Sequence, residues 1–278
     1  MIIMDMNQIS LASLMMHLNM EKTNIVDEGI VRHMILNSVR MYRTMFNEEY
    51  GEIVLAYDSK HYWRREVFPN YKANRRKGRE KDNKDWDAIF SCLNKIKAEL
   101  KENFPYKHLE IYGAEADDII ATLVKKYPNQ KVMIVSGDKD FIQLQKHENV
   151  SQYSPITKKY INGVDAHDYI KTHILKGDTS DGVPNVLSND NTFVDGLRQR
   201  PLSQTKINTW KEGNINNFEV ERNYQRNKKL IDLDEIPNEL SKQIIEEFES
   251  APCEDRSKLL DYFIHNKLKE LTDSIGEF

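Results

Sequence analysis

A chain of 278 residues with 39% apolar side chains holds enough core-forming material for one large or two modest domains, which excludes a disordered protein. It contains no run of about 18 apolar residues, and its opening, MIIMDMNQ, sets an acid where a secretion signal carries basic residues before a long apolar stretch, so a soluble intracellular protein is expected. Cys92 and Cys253 lie far apart and outside any CxxC or Cys/His spacing, which excludes a disulfide framework and a zinc site and fits a reducing compartment. The net charge of −4 conceals segregation: residues 60–84, KHYWRREVFPNYKANRRKGREKDNK, carry ten Lys/Arg against three Asp/Glu, a local balance of +7.

In chain order, Ile2–Met4 predicts a short strand ending at Asp5, followed by a loop or the start of a helix. Helical spacing through DEGIVRHMILNSVRMYRTMF puts Ile30, Met34, Ile35, Tyr42, Met45 and Phe46 on one side, and EIVLAYD then reads as a strand ending at Asp58. After the basic segment, DWDAIFSCLNKIKAELKENF predicts a helix with Trp86, Ile89, Phe90, Leu93, Ile96, Leu100 and Phe104 inward and Pro105 as its stop. HLEIYG reads as a strand, EADDIIATLVKKY as a helix and KVMIVSGD as a strand. Beyond about residue 164 only helices are predicted, in DAHDYIKTHILKG, ERNYQRNKKLIDL, NELSKQIIEEFES and DRSKLLDYFIHNKL, with a loop-rich stretch near 177–202. Strands alternating with helices imply a parallel central sheet with helices on both faces, an α/β part over about 1–163, followed by a smaller all-helical part over 164–278.

In such sheets ligands bind beyond the carboxyl ends of the strands. Asp5, Asp58 and Asp138 end predicted strands, and Glu115, Asp117 and Asp118 follow a fourth; Asp140 lies two residues past Asp138, and Asp178 and Asp181 share a Gly-flanked turn. Any one of these acids is explained as a turn former or a partner for a helix dipole. Nine at one edge repel one another and call for hard cations held by oxygen. Two such ions can clamp a phosphodiester without a serine nucleophile or a histidine base, and the eight histidines, scattered along the chain, read as surface or core residues. On the helix, Glu115 and Asp117 flank the apolar face, whereas Asp118 is expected to point away from the core.

The segment after Asp58 interleaves its cations with Tyr62, Trp63, Phe68 and Tyr71, a pattern suited to phosphates and unpaired bases. Arg64, Arg65, Lys72, Arg75, Arg76, Lys77 and Arg79 are its candidate nucleic-acid contacts, with Lys72 beside the scissile phosphate and Tyr71 and Arg76 grouped with it as catalytic candidates. A PIN-type ribonuclease and a non-catalytic binder of branched DNA are the competing readings. The first is normally shorter and lacks the basic segment, and the second would lose carboxylates that are all present here.

Taken together, Asp5 in IIMDMNQ, Asp58 in LAYDS, YKANR, GAEADD, SGDKDF and GDTSDGVP resemble, in order and spacing, the 5′-nuclease family of flap endonucleases and 5′→3′ exonucleases, over about residues 5–185. The resemblance implies a PIN-like core and a nuclease using two Mg²⁺, with Mn²⁺ as a substitute, on RNA–DNA and DNA–DNA duplexes from the 5′ end and on 5′ flaps and forks, removing RNA primers in lagging-strand replication. It implies that Asp5, Asp58, Glu115, Asp117 and Asp138 surround one ion and Asp140, Asp178 and Asp181 the other, partly through water. It further implies that residues 60–84 form an arch with Lys72 and Tyr71 facing substrate, and that the helices after Asp181 grip duplex. After Asp181 the chain departs from the family's glycine-rich GIG turn and its monovalent-ion site, which leaves Arg198, Arg200, Lys206 and Lys211 as candidates for that grip. A cytoplasmic monomer is expected, in the host cell if the chain is phage-encoded, without a membrane partner. A single-stranded-DNA-binding protein and a sliding clamp are its candidate replication partners. With four residues ahead of Asp5, no partner-binding tail is expected there, and the closing IGEF reads as a frayed end or a docking peptide.

Overall fold

A computed structural model describes residues 1–252 and 256–278, so Cys253 and the start of the helix expected from Asp255 lie outside the described residues. The elements are β1 (Ile2–Asp5), α1 (Met6–Glu21), α2 (Glu28–Tyr50), β2 (Ile53–Ala56), α3 (Arg64–Val67), α4 (Ala73–Glu80), α5 (Trp86–Asn103), β3 (Lys107–Leu109), α6 (Ala116–Lys126), β4 (Val132–Val135), β5 (Val150–Ser154), β6 (Lys159–Tyr160), α7 (Ala166–Lys176), α8 (Gln204–Lys211), α9 (Phe218–Ile231), α10 (Asn238–Ser250), α11 (Leu259–His265) and α12 (Lys269–Thr272). A 3₁₀ helix, Lys139–Lys146, follows β4.

The sheet runs in the order β3-β2-β1-β4-β5-β6, parallel throughout except for β6, which returns antiparallel to β5. The chain builds outward from β1 to β2 and β3, then crosses to the far side of β1 to lay down β4. The crevice over β1 and β4 is therefore a topological switch point, where open α/β sheets bind ligands.

The inner strands are continuous apolar runs because both faces are covered. Ile2, Met4, Ile53, Leu55, Met133 and Val135 face a core shared with α1, α2 and α5. Their alternates Ile3, Val54, Ala56, Val132 and Ile134 face α6, which carries Ile119, Ile120, Leu123 and Val124. Caps set the helix starts: Asp27 accepts from the Ile30 amide at 3.0 Å and Asp85 from the Ala88 amide at 2.9 Å. At the other end of α5, Phe104 is extended ahead of Pro105, as the proline ring demands of its predecessor.

The C-terminal helices complete both faces. α10 lays Leu240 and Ile244 on the α6 side, and α11, α12 and Phe278 join the α1/α2/α5 side. The end of the chain is neither frayed nor free to dock: Phe278 is fully buried against Phe104 and Phe263, and the Glu277 carbonyl accepts from Arg43. A separate cluster of Leu175, Val186, Ile207 and Val220 joins α7, α8 and α9. On α2 the buried face is Val31, Ile35, Leu36, Val39, Tyr42 and Phe46, while Ile30 and Met45, expected inward, are exposed, as is Phe90 on α5. No helix among the described residues is long and apolar enough to cross a membrane.

Candidate metal centre and nucleic-acid interface

The sheet edge delivers its acids through short, pinned connections. Asp5 ends β1 and caps α1, one oxygen accepting from the Gln8 amide at 3.1 Å and the other from the Ser136 hydroxyl, beyond β4, at 3.0 Å. Asp58, just past β2, accepts from the Ala116 amide in the first turn of α6 at 2.8 Å. Asp138 accepts from the Asp140 amide at 3.0 Å, which turns the chain into the 3₁₀ helix. Asp178 accepts from the amides of Ser180 at 2.7 Å and Asp181 at 3.2 Å, and a backbone pair from Asp178 to Val183 closes this turn. Gly177 is required there: its φ is 68°, and a β-carbon would meet the Val183 carbonyl oxygen at 2.4 Å.

These carboxylates crowd one another with little water to screen them. Burial, then Asp58, pushes the Asp5 carboxyl up to about 7 despite its hydrogen bonds. Burial and Asp138 hold Asp117 well above the usual range, burial raises Asp138, and burial raises Asp140 to about 6. Such groups shed their repulsion only by taking up protons or cations, so the donor set, all oxygen and under-neutralised, fits hard divalent ions.

Protein cations fill part of that need. Arg64, only 2% exposed, donates to both oxygens of Asp118 at 2.8 and 3.0 Å, to Glu115 at 2.8 Å and to the Leu230 carbonyl at 2.8 Å. Trp63 Nε1 adds a 3.3 Å bond to Asp118, whose carboxylate also accepts from the Glu115 amide at 2.9 Å. Two expectations are corrected by this geometry. Asp118 is wholly buried rather than turned away from the core, with its oxygens committed to Arg64, Trp63 and the helix cap, and Arg64 holds acids instead of nucleic acid.

Lys72 does reach the cluster, its ammonium contacting Glu115 and lying 3.6 Å from Asp181. Its backbone is left-handed, with φ 57°, and its amide donates to the Asp181 carbonyl at 2.7 Å. A non-glycine residue held there marks a position fixed by its surroundings. Tyr71 is 3% exposed and donates to Asp181 at 2.7 Å and Glu115 at 3.1 Å, so it braces the acids rather than facing outward. Arg75, one residue before the expected Arg76, pairs with Asp181. Arg76 is solvent-exposed on α4, ion-paired to Glu80 at 2.9 Å and outside these contacts.

Beneath α4 opens a cleft of about 750 Å³, bounded by the start of α1, Asp58, Lys72 and the exposed face of α5. Arg65 lies over the Tyr62 ring at 4.6 Å, and Arg79 lies over Phe90 at 5.4 Å and Trp86 at 5.9 Å, so aromatic faces and guanidinium groups alternate along its wall. Lys77 donates to the Val194 carbonyl, tying α4 to the 177–202 loop. Of the other candidate contacts, Arg198 and Arg200 are exposed, Lys206 lies over Trp210 at 5.6 Å, and Lys211 pairs with Asp168.

The structure also brings in a residue read from sequence as uninvolved. His173, on the last turn of α7, sets Nε2 3.0 Å from Asp140 and 3.7 Å from Asp178. Burial opposes its charge, but the two acids outweigh it and push the imidazole up to about 10. Burial alone would raise Asp178; His173 and Ser180 hold it below the carboxylate range. The signal available in sequence was a histidine one helical turn and a glycine ahead of an acid, in HILKGD, which carries meaning only once β4 brings Asp140 alongside.

Residues 3–194 match the family model described as 5'-3' exonuclease, N-terminal resolvase-like domain, and residues 164–278 match one described as T4 RNase H, C terminal. The chain belongs to the 5'-3' exonuclease family of nucleases. It is 37% identical over 293 aligned positions to Ribonuclease H of Enterobacteria phage T4, covering 99% of this chain and 95% of that protein. It is also 32% identical over 164 positions to the 5'-3' exonuclease of Buchnera aphidicola subsp. Schizaphis graminum, covering 55% of this chain and 54% of that protein. Among solved structures, T5 5'-exonuclease with bound zinc superposes with a TM-score of 0.63 at 19% identity, covering 91% of this chain and 99% of that one, which shows a shared fold.

Proposed function

We propose that this chain hydrolyses phosphodiesters from the 5′ end of RNA–DNA and DNA–DNA duplexes and at 5′ flaps, using two Mg²⁺ with Mn²⁺ as a substitute, and that it removes RNA primers during lagging-strand synthesis. One observation carries the reading: buried, mutually repelling acids from separate chain segments converge on the sheet's switch point directly beneath a cationic arch. Asp5, Asp58, Glu115, Asp117 and Asp138 would hold one ion, and Asp140, Asp178 and Asp181 the other; when bound, the pair supplies Lewis-acid activation of water and neutralises charge on the leaving oxygen.

The chain's own groups do the rest. Lys72, held at the acids by its left-handed backbone, exchanges its carboxylate partner for a phosphate oxygen as substrate arrives. Arg65, Arg75 and Arg79 draw the strand into the cleft, with Tyr62, Trp86 and Phe90 as stacking faces. Arg64, Trp63 and Tyr71 keep Glu115, Asp118 and Asp181 in place from behind. The α7–α9 unit, with Arg198, Arg200, Lys206 and Lys211, grips the duplex, and a single-stranded-DNA-binding protein and a sliding clamp are proposed partners of a cytoplasmic monomer.

The test incubates purified protein with a 5′-labelled RNA–DNA hybrid and a 5′-flap duplex, with Mg²⁺ or with EDTA. Short 5′ products with Mg²⁺ alone are expected; intact substrates in both reactions overturn the proposal.

A further inference from the structure

Asp140, His173 and Asp178 place three donor atoms within 4.8 Å of one another at the margin of the acidic centre. The spacings suit a shared ion: ligands on bonds of about 2.1 Å lie about 3.0 Å apart when adjacent and about 4.2 Å apart when opposed, and Nε2 of His173 is 3.0 Å from Asp140 and 3.7 Å from Asp178. That nitrogen is buried, yet it lacks the alignment of a hydrogen bond to either acid. The ring is steered from behind by Tyr169, stacked at a centroid distance of 5.5 Å and 29° between planes. The backbone is fixed as well, because the His173 carbonyl accepts from the Gly177 amide at 2.8 Å, linking the helix end to the turn that presents Asp178.

We infer that His173 is a nitrogen ligand of the second ion, giving up its Nε2 proton to solvent as the ion binds and making that position selective for borderline transition ions over Mg²⁺. Oxygen-only sites suit Mg²⁺, whereas imidazole strengthens binding along the series from Mn²⁺ through Co²⁺. The inference rests on reading the acids as a metal centre and adds an asymmetry: the ion at Asp5, Asp58, Glu115, Asp117 and Asp138 sees oxygen alone, and the ion at Asp140 and Asp178 sees oxygen and nitrogen. The competing role for His173 is that of a fixed counter-charge, which neutralises Asp140 and Asp178 and is displaced when an ion binds. The two roles predict opposite responses to removing the ring.

Calorimetric titration of the full chain with Co²⁺ and with Mg²⁺, beside the visible absorption of bound Co²⁺, separates them. For a ligand, His173→Ala weakens Co²⁺ binding at one site by about tenfold or more, leaves Mg²⁺ affinity within about threefold, and loses the absorption assigned to nitrogen coordination. The retained Mg²⁺ affinity of the same variant excludes a folding defect as the cause. If His173→Ala instead tightens both ions, or leaves the Co²⁺/Mg²⁺ preference unchanged, His173 is a counter-charge and the inference falls while the metal centre stands. If the unmodified chain binds neither ion, the metal-centre reading itself falls and takes the inference with it.

Discussion

Arg64 and Asp118 form a two-pronged ion pair at 2.8 and 3.0 Å, sealed from water behind the acidic edge. Its value lies in completeness, because every prong of the guanidinium has an acceptor and Asp118 in turn receives Trp63 and the Glu115 amide. Removing one member strands a charge in a dry site. Asp118→Asn is therefore expected to destabilise the fold by about 3 kcal/mol, read as a lowered urea midpoint at unchanged slope. A single variant as stable as the parent would show that the pair does not hold α3 to α6.

The acidic centre makes stability in the absence of metal fall as pH rises. Asp5 and Asp140 have folded pKa values raised to about 7 and about 6, so below about pH 4, where both folded and unfolded chains carry the protons, they exert no penalty. Between about pH 4 and pH 7 the unfolded chain releases those protons first, and the folded state loses stability until its own groups ionise. A divalent ion bound by the same oxygens would stabilise the folded state by RT ln(1 + c/Kd) at free ion concentration c. Melting curves with EDTA and with Mg²⁺ should therefore diverge by several degrees more at pH 7.5 than at pH 5. Equal shifts at both pH values would mean that these carboxylates are not where the ion binds.

How much of this was legible in sequence depended on whether the cause was local. The edge was readable because strands covered on both faces are unbroken apolar runs, as in Ile2–Met4 and Val132–Val135, and an acid follows within three residues of each, Asp5 and Asp138. Helix α1 was visible only as a start, since its buried side includes Ser13 and His17 and blurs the apolar pattern. Strand β5 was hidden for the same reason: Gln152 and Ser154 are buried there, with the Gln152 amide bonded to the carbonyls of Ser136 and Asp138. Asp118 was misdirected because helical geometry places a side chain relative to its own helix only, and Trp63 and Arg64 arrive from another segment to enclose it.

Neighbouring cations on and beside α4 are expected to divide sharply in function. Lys72 touches the acids, Arg75 pairs with Asp181, and Arg76 pairs with Glu80 in open solvent. Lys72→Ala should slow single-turnover cleavage by about 10²-fold, the scale of losing one charge that stabilises a transition state, with a smaller change in substrate affinity. Arg76→Ala should leave the rate within about twofold, as exposed ion pairs contribute little. Comparable losses from both variants would assign the arch a purely electrostatic pull on the strand.

The chain's last residue is a core residue. Phe278 is fully buried with ring centroids 5.1 Å from Phe263 and 5.7 Å from Phe104, and Arg40 and Arg43 hold the preceding Glu277 through its carboxylate and carbonyl. Truncating a buried phenylalanine to alanine removes its transfer energy and leaves a cavity, together about 3–5 kcal/mol. Phe278→Ala should lower the urea midpoint accordingly and weaken cleavage only through the loss of folded protein, so that activity per folded molecule stays constant. Glu277→Ala provides the contrast: its carboxylate pair with Arg40 is half-exposed, and the loss should stay within about 1 kcal/mol. If Phe278→Ala were as stable as the parent, the terminus would be free of the core after all.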